Sequence, residues 1–559
     1  MEQLTQKKSL GLLLVLAVVV TYGPVIFSEF STWDDDTTIT ENPHFNPPSL
    51  KGILYYWGHS AGKLYVPVTY SVWGTLAMAG QTEVGDEQGC RLNPWVFHIA
   101  NVGVHVGSVL LAFAILKRLT GNEWAAGVGA LVFGLHPVQV ESVGWISGLK
   151  DVLCGMFTLA ALLEYVRFRQ EQESGRARVH YALATAALVL GMLCKPVAVV
   201  GTLMAGVLDY WLLRRRVGEI WRVLWPWVVL SVICLVSARV IQPASNVPSS
   251  PLWARPLIAA DSLAFYLCKV VYPARLTIDY GRGPEEVMRE GWVYWTWMVP
   301  CVVGVLLWRM RKRAPVLVAA GMVFVAGFLP LLGWTKFSFQ WYSTVANRYM
   351  YLPMFGVGLA VAWVVGKYPL RARWVICGVV LSVLGVRSFV QAFVWRDTVS
   401  LFEHAIEVNP RTYAARNGLG SFLNNQAARI GVEQAGRTEQ ARRDEIRAME
   451  LYREAFGIKS EYLTPRINLA GLLVRRGQYA EAEEQLRQAQ RLSEVMKEKP
   501  AGYEKIAWWL GMIADARGEY GTAADYFQEY VRRNPGDAVG ARNLRVAQKK
   551  LAEKKSSGG

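Results

Sequence analysis

Three consecutive carboxylates, Asp34, Asp35 and Asp36, follow the first apolar segment of the chain, which runs from Leu10 to Phe27. Like charges this close repel one another, and near a bilayer they are costly to desolvate. Such a cluster suggests chemistry at a membrane surface, as a general base, a cation site or a metal site. The alternative is a solvated loop that only keeps its side of the membrane, and the local sequence leaves both interpretations open.

A second set of ionisable residues lies between the third and fourth apolar segments. His136, Glu141, Lys150 and Asp151 stand there at membrane depth, where ionisable side chains need partners and mark functional sites by default. The alternative is that Lys150 and Asp151 pair with neighbours and only close the helix ends.

Three further cations are expected on the same side of the membrane. They are Lys195, Arg348 and Lys269. The segment around Lys269, residues 261–280, is too short and polar for a confident span and is expected to lie in the interface or to re-enter.

The elements that must position these residues are apolar helices. The chain has 559 residues, is 52% hydrophobic and has a mean hydropathy of +0.20, which is too apolar for an ordinary soluble protein. Bilayer-length apolar segments recur to about residue 393 and then stop. This predicts an all-α chain with a polytopic membrane domain over 1–395 and a polar helical domain over 396–559. About eleven spans are expected, at 10–27, 95–116, 124–140, 150–166, 179–194, 196–213, 221–241, 291–309, 315–333, 349–366 and 373–393.

The net charge of +16 does not indicate nucleic-acid binding, because the basic residues collect in short connectors between the apolar segments. With the spans given above, every basic connector and the pair Lys7 and Lys8 fall on one side. This is the positive-inside pattern, and it predicts a cytoplasmic N-terminus with the carboxylate loop and the C-terminal domain outside. The first segment is too long for a signal-peptide core and has no small-residue cleavage site before Glu29, so an uncleaved span is expected.

The C-terminal domain carries the spacing of tetratricopeptide repeats. Gly477-Gln-Tyr479 is answered by Gly518-Glu-Tyr520, 41 residues later rather than about 34, which implies an insertion near Val495–Gly502. A weaker unit runs from Leu401 to Gly420 and is followed by a polar insertion around 426–443. Such stacks form concave peptide-binding surfaces, and the alternative is a structural or dimerisation platform. The domain contains no cysteine, so helix packing must supply its core.

The acidic loop and the cations together suit transfer from a lipid-phosphate-linked sugar. Arg and Lys can hold and neutralise a phosphate leaving group, and a carboxylate can accept the proton of an attacking serine or threonine hydroxyl. No glycine-rich phosphate loop accompanies the spans, which argues against an ATP-driven pump.

A known family carries these motifs in the same order. The chain resembles the GT-C glycosyltransferases with C-terminal tetratricopeptide repeats, and is similar to the animal transmembrane-and-repeat O-mannosyltransferases and their bacterial relatives. The motifs that carry the resemblance are Trp33-Asp34-Asp35 with Ile39 and Asn42-Pro43, Asn93-Pro94 with Phe97-His98 and Asn101, His136-Pro137 with Glu141, Gly148 and Lys150-Asp151, and Arg348-Tyr-Met-Tyr-Leu-Pro353.

The resemblance implies sugar transfer from a polyprenyl-phosphate donor to hydroxyls of exported proteins at the outer face of a bacterial inner membrane. Asp34 and Asp35 match the family's first-loop acidic pair, one of which serves as base. His136, Glu141, Lys150, Lys195 and Arg348 are expected to shape the donor pocket, Lys269 is a possible interfacial contact, and the repeats are expected to recruit the acceptor polypeptide. The position before Arg348, often acidic in the family, is Asn347 here, and the donor sugar is left open, with mannose one candidate.

Three alternatives accompany this interpretation. The acceptor is a surface glycan or lipid in the first, and the chain is a non-enzymatic repeat scaffold in the second. In the third, a divalent metal binds Asp34, Asp35 and Asp36, since carboxylates suit hard cations. The resemblance implies that no cofactor is required, because related enzymes that use lipid-monophosphate donors generally need no metal.

Overall fold

The protein is helical almost throughout the part of the chain that the computed structural model describes, residues 2–60, 64–85, 89–171, 175–242, 250–334, 336–368, 371–433, 439–494, 496 and 502–557. Across these residues there is no β-strand, only two isolated bridges. The prediction of an all-α chain is therefore confirmed.

Two compact units divide the chain, residues 1–404 and 405–559. The predicted boundary lay slightly earlier, between residues 395 and 396. The helices of the first unit are α1 Glu2–Tyr22, α2 Leu50–Gly58, α3 Pro67–Ala79, α4 Pro94–Thr120, α5 Glu123–Leu135, α6 Val140–Gly144, α7 Leu149–Gln170, α8 Ala177–Cys194, α9 Val200–Trp211, α10 Val217–Ile241, α11 Arg255–Val271, α12 Pro284–Arg289, α13 Met298–Met310, α14 Pro315–Phe328, α15 Met354–Lys367 and α16 Arg373–Ala392. Helix α17, Thr398–Val408, crosses the boundary, and the second unit continues with α18 Tyr413–Glu433, α19 Glu439–Ile458, α20 Thr464–Arg475, α21 Tyr479–Glu494, α22 Glu504–Ala516, α23 Tyr520–Arg533 and α24 Ala538–Ser557.

Every predicted span corresponds to an apolar helix. Seven helical segments within the described residues are long and apolar enough to cross a membrane, and four apolar helices are shorter. The shorter ones are 123–135, 196–211, 315–331 and 354–367, and each coincides with a predicted span. The segment around Lys269 forms α11, which is not among these eleven, as its polarity predicted.

Local sequence signals set the helix ends near the candidate site. Asn93 caps α4 by accepting a hydrogen bond from the Trp95 N–H at 3.0 Å, and Pro94 occupies the first helical position. Asn122 caps α5 in the same way through the Ala125 N–H. These caps fix where α4 and α5 begin.

Close backbone approaches bring the connector after α5 against the segment before α15. A Cβ on Gly148 would lie 2.5 Å from the Ser142 carbonyl oxygen, and a Cβ on Gly155 would overlap the Tyr351 ring. Only glycine permits these approaches. The connector 136–148 is consequently folded back on itself, and α7 packs directly beneath residues 348–353.

The second unit is a stack of helix pairs, as the repeat spacing predicted. Helix α18 packs on α19, α20 on α21 and α22 on α23. Gly471 and Gly511 lie against the rings of Trp509 and Phe527, so the small residues mark the close helix contacts. The turns at Gly477 and Gly518 have φ of +73° and +75°, which glycine adopts without strain.

The weaker repeat unit is also helical, with α18 containing Gly420, where a Cβ would meet the Tyr452 ring at 2.9 Å. The predicted insertion near Val495–Gly502 lies largely outside the described residues. The predicted insertion at 426–443 falls partly outside them as well.

Candidate active site

Asp35 is held by two serines from opposite ends of the site. Its Oδ2 accepts hydrogen bonds from the Ser31 N–H and hydroxyl, both at 3.0 Å. Its Oδ1 accepts from the Ser147 N–H at 2.9 Å and the Ser147 hydroxyl at 2.6 Å. Burial raises the pKa of Asp35, and these four donors act in the opposite direction by stabilising the carboxylate. Only 1% of the Asp35 surface is exposed. Its hydrogen bonds connect the first loop to the 145–148 turn.

Asp34 and Asp36 are in different surroundings. The Asp34 side chain is exposed, and across the described residues its carboxylate accepts no hydrogen bond. It lies within electrostatic range of the Lys150 amine. Asp36 is partly buried and its Oδ1 accepts from the Thr37 N–H at 2.8 Å; burial raises the pKa of Asp36 to about 6. Of the three carboxylates, Asp34 is therefore the accessible one.

The three carboxylates do not fit a common metal site. Both oxygens of Asp35 are occupied by serine donors, so they are not free to coordinate an ion beside Asp34 and Asp36. Over the described parts of the chain, no group of three His, Cys, Asp or Glu side chains is arranged to hold a metal.

Glu141 and Arg348 form a buried ion pair. The Arg348 Nη1 donates to Glu141 Oε1 at 2.5 Å, and the Glu141 Oε2 accepts from the Asn347 N–H at 3.1 Å. The Arg348 guanidinium lies 4.1 Å from the Phe339 ring centroid and 5.6 Å from that of Trp145. Since a guanidinium carries several N–H donors, pairing with one carboxylate oxygen leaves donors for a second anion.

Asn347, the departure from the family pattern, is a buried polar junction. Its side-chain oxygen accepts from the Tyr280 hydroxyl at 2.7 Å, and its amide donates to the Thr277 carbonyl at 3.2 Å. Asn347 thus links the 277–280 segment by hydrogen bonds to the backbone segment that contains Arg348. An acidic side chain here would lack the amide donor that bonds to the Thr277 carbonyl.

Lys195 and Lys150 complete the cluster. The Lys195 Nζ pairs with Asp151 Oδ1, while Asp151 Oδ2 is buried and has no hydrogen-bond partner among the described residues. The Lys150 Nζ lies 4.9 Å from the Trp145 ring centroid and makes no ion pair within 4 Å across the described residues. It interacts through its charge with Asp34, Lys195, Asp151 and Arg348. We refer to Asp34, Glu141, Lys150, Asp151, Lys195 and Arg348 as the charged cluster.

His136 and Lys269 lie at a different contact. The His136 Nε2 donates to the Val270 carbonyl at 3.1 Å while Nδ1 accepts from the Val138 N–H at 3.4 Å, so both ring nitrogens are used. The Lys269 Nζ donates to the Ala274 carbonyl at 2.6 Å, just beyond its own helix. Both side chains bond to backbone carbonyls, and among the described residues neither forms a hydrogen bond or ion pair with the charged cluster.

Known proteins resemble both units. A tetratricopeptide-repeat family model matches residues 423–494. The chain is 23% identical over 462 residues to protein O-mannosyl-transferase TMTC3 of Homo sapiens, an alignment that covers 74% of this chain and 49% of the relative. It is 22% identical over 473 residues to TMTC4 of Mus musculus, covering 70% of this chain and 61% of the relative. The chain is similar in sequence to both of these O-mannosyl-transferases over most of its own length.

Another relative matches a shorter region. Protein O-mannosyl-transferase Tmtc2 of Drosophila melanogaster is 27% identical over 207 residues, which is 34% of this chain and 22% of the relative. The chain therefore spans less than two thirds of the length of each of these O-mannosyl-transferases. The expected likeness to glycosyltransferases with C-terminal repeats is confirmed.

The charged cluster is suited to acid–base work beside a bound anion. Asp34 is the exposed carboxylate, and the Lys150 amine lies within its electrostatic range and pairs directly with no carboxylate in the described parts of the chain. Lys195 and Arg348 are each held in place by an acidic partner. Four residues outside the sequence-based set also shape this region, namely Ser31, Ser147, Trp145 and Asn347. Ser147, Trp145 and Asn347 stand within or beside the motifs already noted, whereas Ser31 carries no distinguishing signal.

Proposed function

We propose that the chain is an integral-membrane glycosyltransferase of GT-C type that moves a sugar from a polyprenyl-phosphate donor to serine or threonine hydroxyls of exported proteins. The observation that carries this proposal is the accessible Asp34 within electrostatic range of Lys150, which forms no ion pair among the residues that the structure describes. The O-mannosyl-transferase names of the homologues support mannose as the sugar.

Four residues of the charged cluster have a role in the proposed reaction. The acceptor hydroxyl oxygen attacks the anomeric carbon, a new carbon–oxygen bond forms, and the bond from that carbon to the phosphate oxygen breaks. The Asp34 carboxylate takes the hydroxyl proton, and polyprenyl phosphate departs with the electron pair. Lys150 and the remaining donors of Arg348 stabilise the charge that develops on the phosphate, with Lys195 beside them.

The partners of the charged residues explain why this site can remain organised in the absence of donor. Glu141 neutralises Arg348 and Asp151 neutralises Lys195, so neither cation is left buried alone. Asp35 fixes the loop that presents Asp34. The site is thereby preorganised, and Lys150 supplies the charge that the donor phosphate would neutralise.

The proposed setting is a bacterial inner membrane, with the N-terminus in the cytoplasm and the cluster and repeat unit outside. The basic connectors support this orientation because they fall on one side of the eleven apolar helices. The repeat unit would then recruit the acceptor polypeptide on the side where transfer occurs. A reporter enzyme fused after Gly559 should be active outside the cytoplasm, and a cytoplasmic signal would contradict the orientation.

The acceptor class is tested by comparing cells with and without the gene. Mass spectrometry of exported proteins should show hexose-modified serine or threonine residues that disappear on deletion and return with the wild-type chain. An unchanged glycoproteome beside an altered surface polysaccharide would instead indicate a glycan or lipid acceptor. If a chain carrying Asp34→Asn restored the cellular phenotype that deletion removes, a non-enzymatic scaffold would be favoured.

A further inference from the structure

A long apolar groove lies between α9, α11, α13, α14 and α15, apart from the charged cluster. Its volume is about 1140 Å³, above the roughly 300–1,000 Å³ of ordinary small-molecule sites. Aliphatic side chains such as Val207, Leu263, Val303, Leu307 and Val325 form most of the lining. Such a surface on a membrane-spanning unit suits hydrocarbon chains.

One end of the groove has the composition of a membrane interface. Arg311 and Lys312 line it there, together with the aromatic residues Trp308, Tyr210 and Trp211. Trp and Tyr collect at the headgroup level of a bilayer. The Arg311 guanidinium lies 4.3 Å from the Trp308 ring centroid and donates to the Trp308 carbonyl at 2.9 Å, which holds it at the groove mouth.

The charge at this end is unbalanced. The residues that line the groove include no carboxylate, and neither Arg311 nor Lys312 forms an ion pair in the part of the chain that the structure describes. Lys312 is exposed and Arg311 is half-buried. Two cations above an apolar channel complement a molecule with an anionic head and hydrocarbon tails.

The depth of the groove matches one leaflet. Its lining runs along α13 and the turn after it from Pro300 to Lys312, and along α14 and the turn after it from Leu317 to Leu329. At about 1.5 Å per residue each run is about 18 Å long. Half of a hydrocarbon core of about 30 Å is about 15 Å. The groove therefore accommodates acyl chains that reach the middle of the bilayer from the basic end.

We propose that this groove is a binding site for an anionic glycerophospholipid of the leaflet next to the basic connectors. Arg311 binds the headgroup phosphate through its N–H donors and Lys312 neutralises it. The acyl chains lie along the aliphatic lining. A zwitterionic phospholipid brings its own cation to the two basic residues and binds more weakly.

The first test measures lipid preference on the purified full chain by native mass spectrometry, using phosphatidylglycerol and phosphatidylcholine with the same acyl chains. Wild type should retain phosphatidylglycerol about tenfold more strongly. With about fivefold per basic residue near a headgroup, the double variant Arg311→Gln and Lys312→Gln should lose about 25-fold in retention. The control is the double variant Arg309→Gln and Arg313→Gln, which removes the same charge from residues that do not line the groove. This control should keep most of the wild-type retention of phosphatidylglycerol.

The second test fills the groove instead of changing its charge. A Cβ on Gly304, which lines the groove, meets no atom within 4 Å, so Gly304→Phe should fold and occupy the channel. Gly378→Phe on α16 is the matched control, because its Cβ also meets no atom within 4 Å and it lies outside the groove. Phosphatidylglycerol retention should fall only for Gly304→Phe.

Three outcomes would overturn the proposal. Equal retention of the two phospholipids by wild type would show that the groove does not recognise the headgroup. Equal losses in the groove variants and their controls would indicate nonspecific binding. Displacement of phosphatidylglycerol by polyprenyl phosphate at equal concentration would assign the groove to the longer lipid.

Discussion

Replacing Asp35 with asparagine is expected to destabilise the membrane unit, because Asp35 acts as a connector between two distant segments. Four donors from Ser31 and Ser147 converge on its two oxygens. Asparagine keeps one acceptor oxygen but presents an amide donor to the two donors on the other side. A hydrogen bond to a charged group contributes about 1.5–3 kcal/mol, and the neutral amide recovers part of the burial cost of the carboxylate. The expected loss in the free energy of unfolding is about 2–4 kcal/mol.

A double-mutant cycle measures this role directly. Ser147→Ala removes the hydroxyl donor at 2.6 Å, so Asp35→Asn and Ser147→Ala should be non-additive. Thermal unfolding of the purified full chain followed by tryptophan fluorescence gives the Tm of each variant. The Asp35→Asn protein should unfold several degrees below wild type. A Tm equal to that of wild type together with complete loss of sugar transfer would refute the connector role and would make Asp35 the base.

Three further perturbations test other parts of the molecule. Arg348→Gln should lower the free energy of unfolding by about 3–5 kcal/mol, because it leaves Glu141 buried without its cation. The double variant Glu141→Gln and Arg348→Gln should recover much of the lost Tm but not the sugar transfer. A double variant with the same low Tm as Arg348→Gln would contradict the pairing. Because folding raises the pKa of Asp36 to about 6, its contribution to stability is complete below a pH of about 4 and is lost as the pH rises through about 6. Asp36→Asn should therefore flatten the dependence of Tm on pH across this window, and an unchanged profile would exclude Asp36 as its source. Gly471→Ala places a Cβ 2.6 Å from the packed Trp509 indole, so it should lower the Tm of the repeat unit and reduce its free energy of unfolding by about 1–3 kcal/mol. Gly457→Ala is the control, because its Cβ meets open space and should leave the Tm unchanged. Equal effects of the two variants would show that the indole moves aside without cost.

The architecture could be predicted because each of its signals is local. Apolar length and the scarcity of charge marked all eleven apolar helices of the described residues, including the short helix 123–135. The repeat spacing marked Gly477 and Gly518, whose turns need positive φ. Segment lengths and glycine positions are local properties of the sequence, so they can be recognised without knowledge of tertiary contacts.

The sequence could not predict which of the first-loop carboxylates is accessible and which is structural. Asp34 and Asp35 are neighbours in one motif, yet one is exposed and the other is enclosed by serines. The deciding contact joins Asp35 to Ser147, 112 residues away, and no periodicity encodes it. The pairing of Lys195 with Asp151 is likewise remote in sequence. Of these two lysines, Lys150 is therefore the one that forms no ion pair with a carboxylate among the described residues.

Transfer by Asp34→Asn tests the central claim most directly. The purified full chain would be supplied with radiolabelled polyprenyl-phosphate mannose and exported proteins from cells lacking the gene, and the initial rate of label transfer would be measured. Loss of a general base should lower the rate by about 10²–10⁴-fold, while a change at an exposed side chain should leave the Tm near that of wild type. Glu41→Gln alters an exposed carboxylate of the same loop outside the charged cluster and should transfer at nearly the wild-type rate. A wild-type rate from Asp34→Asn would contradict the assignment of Asp34 as the base.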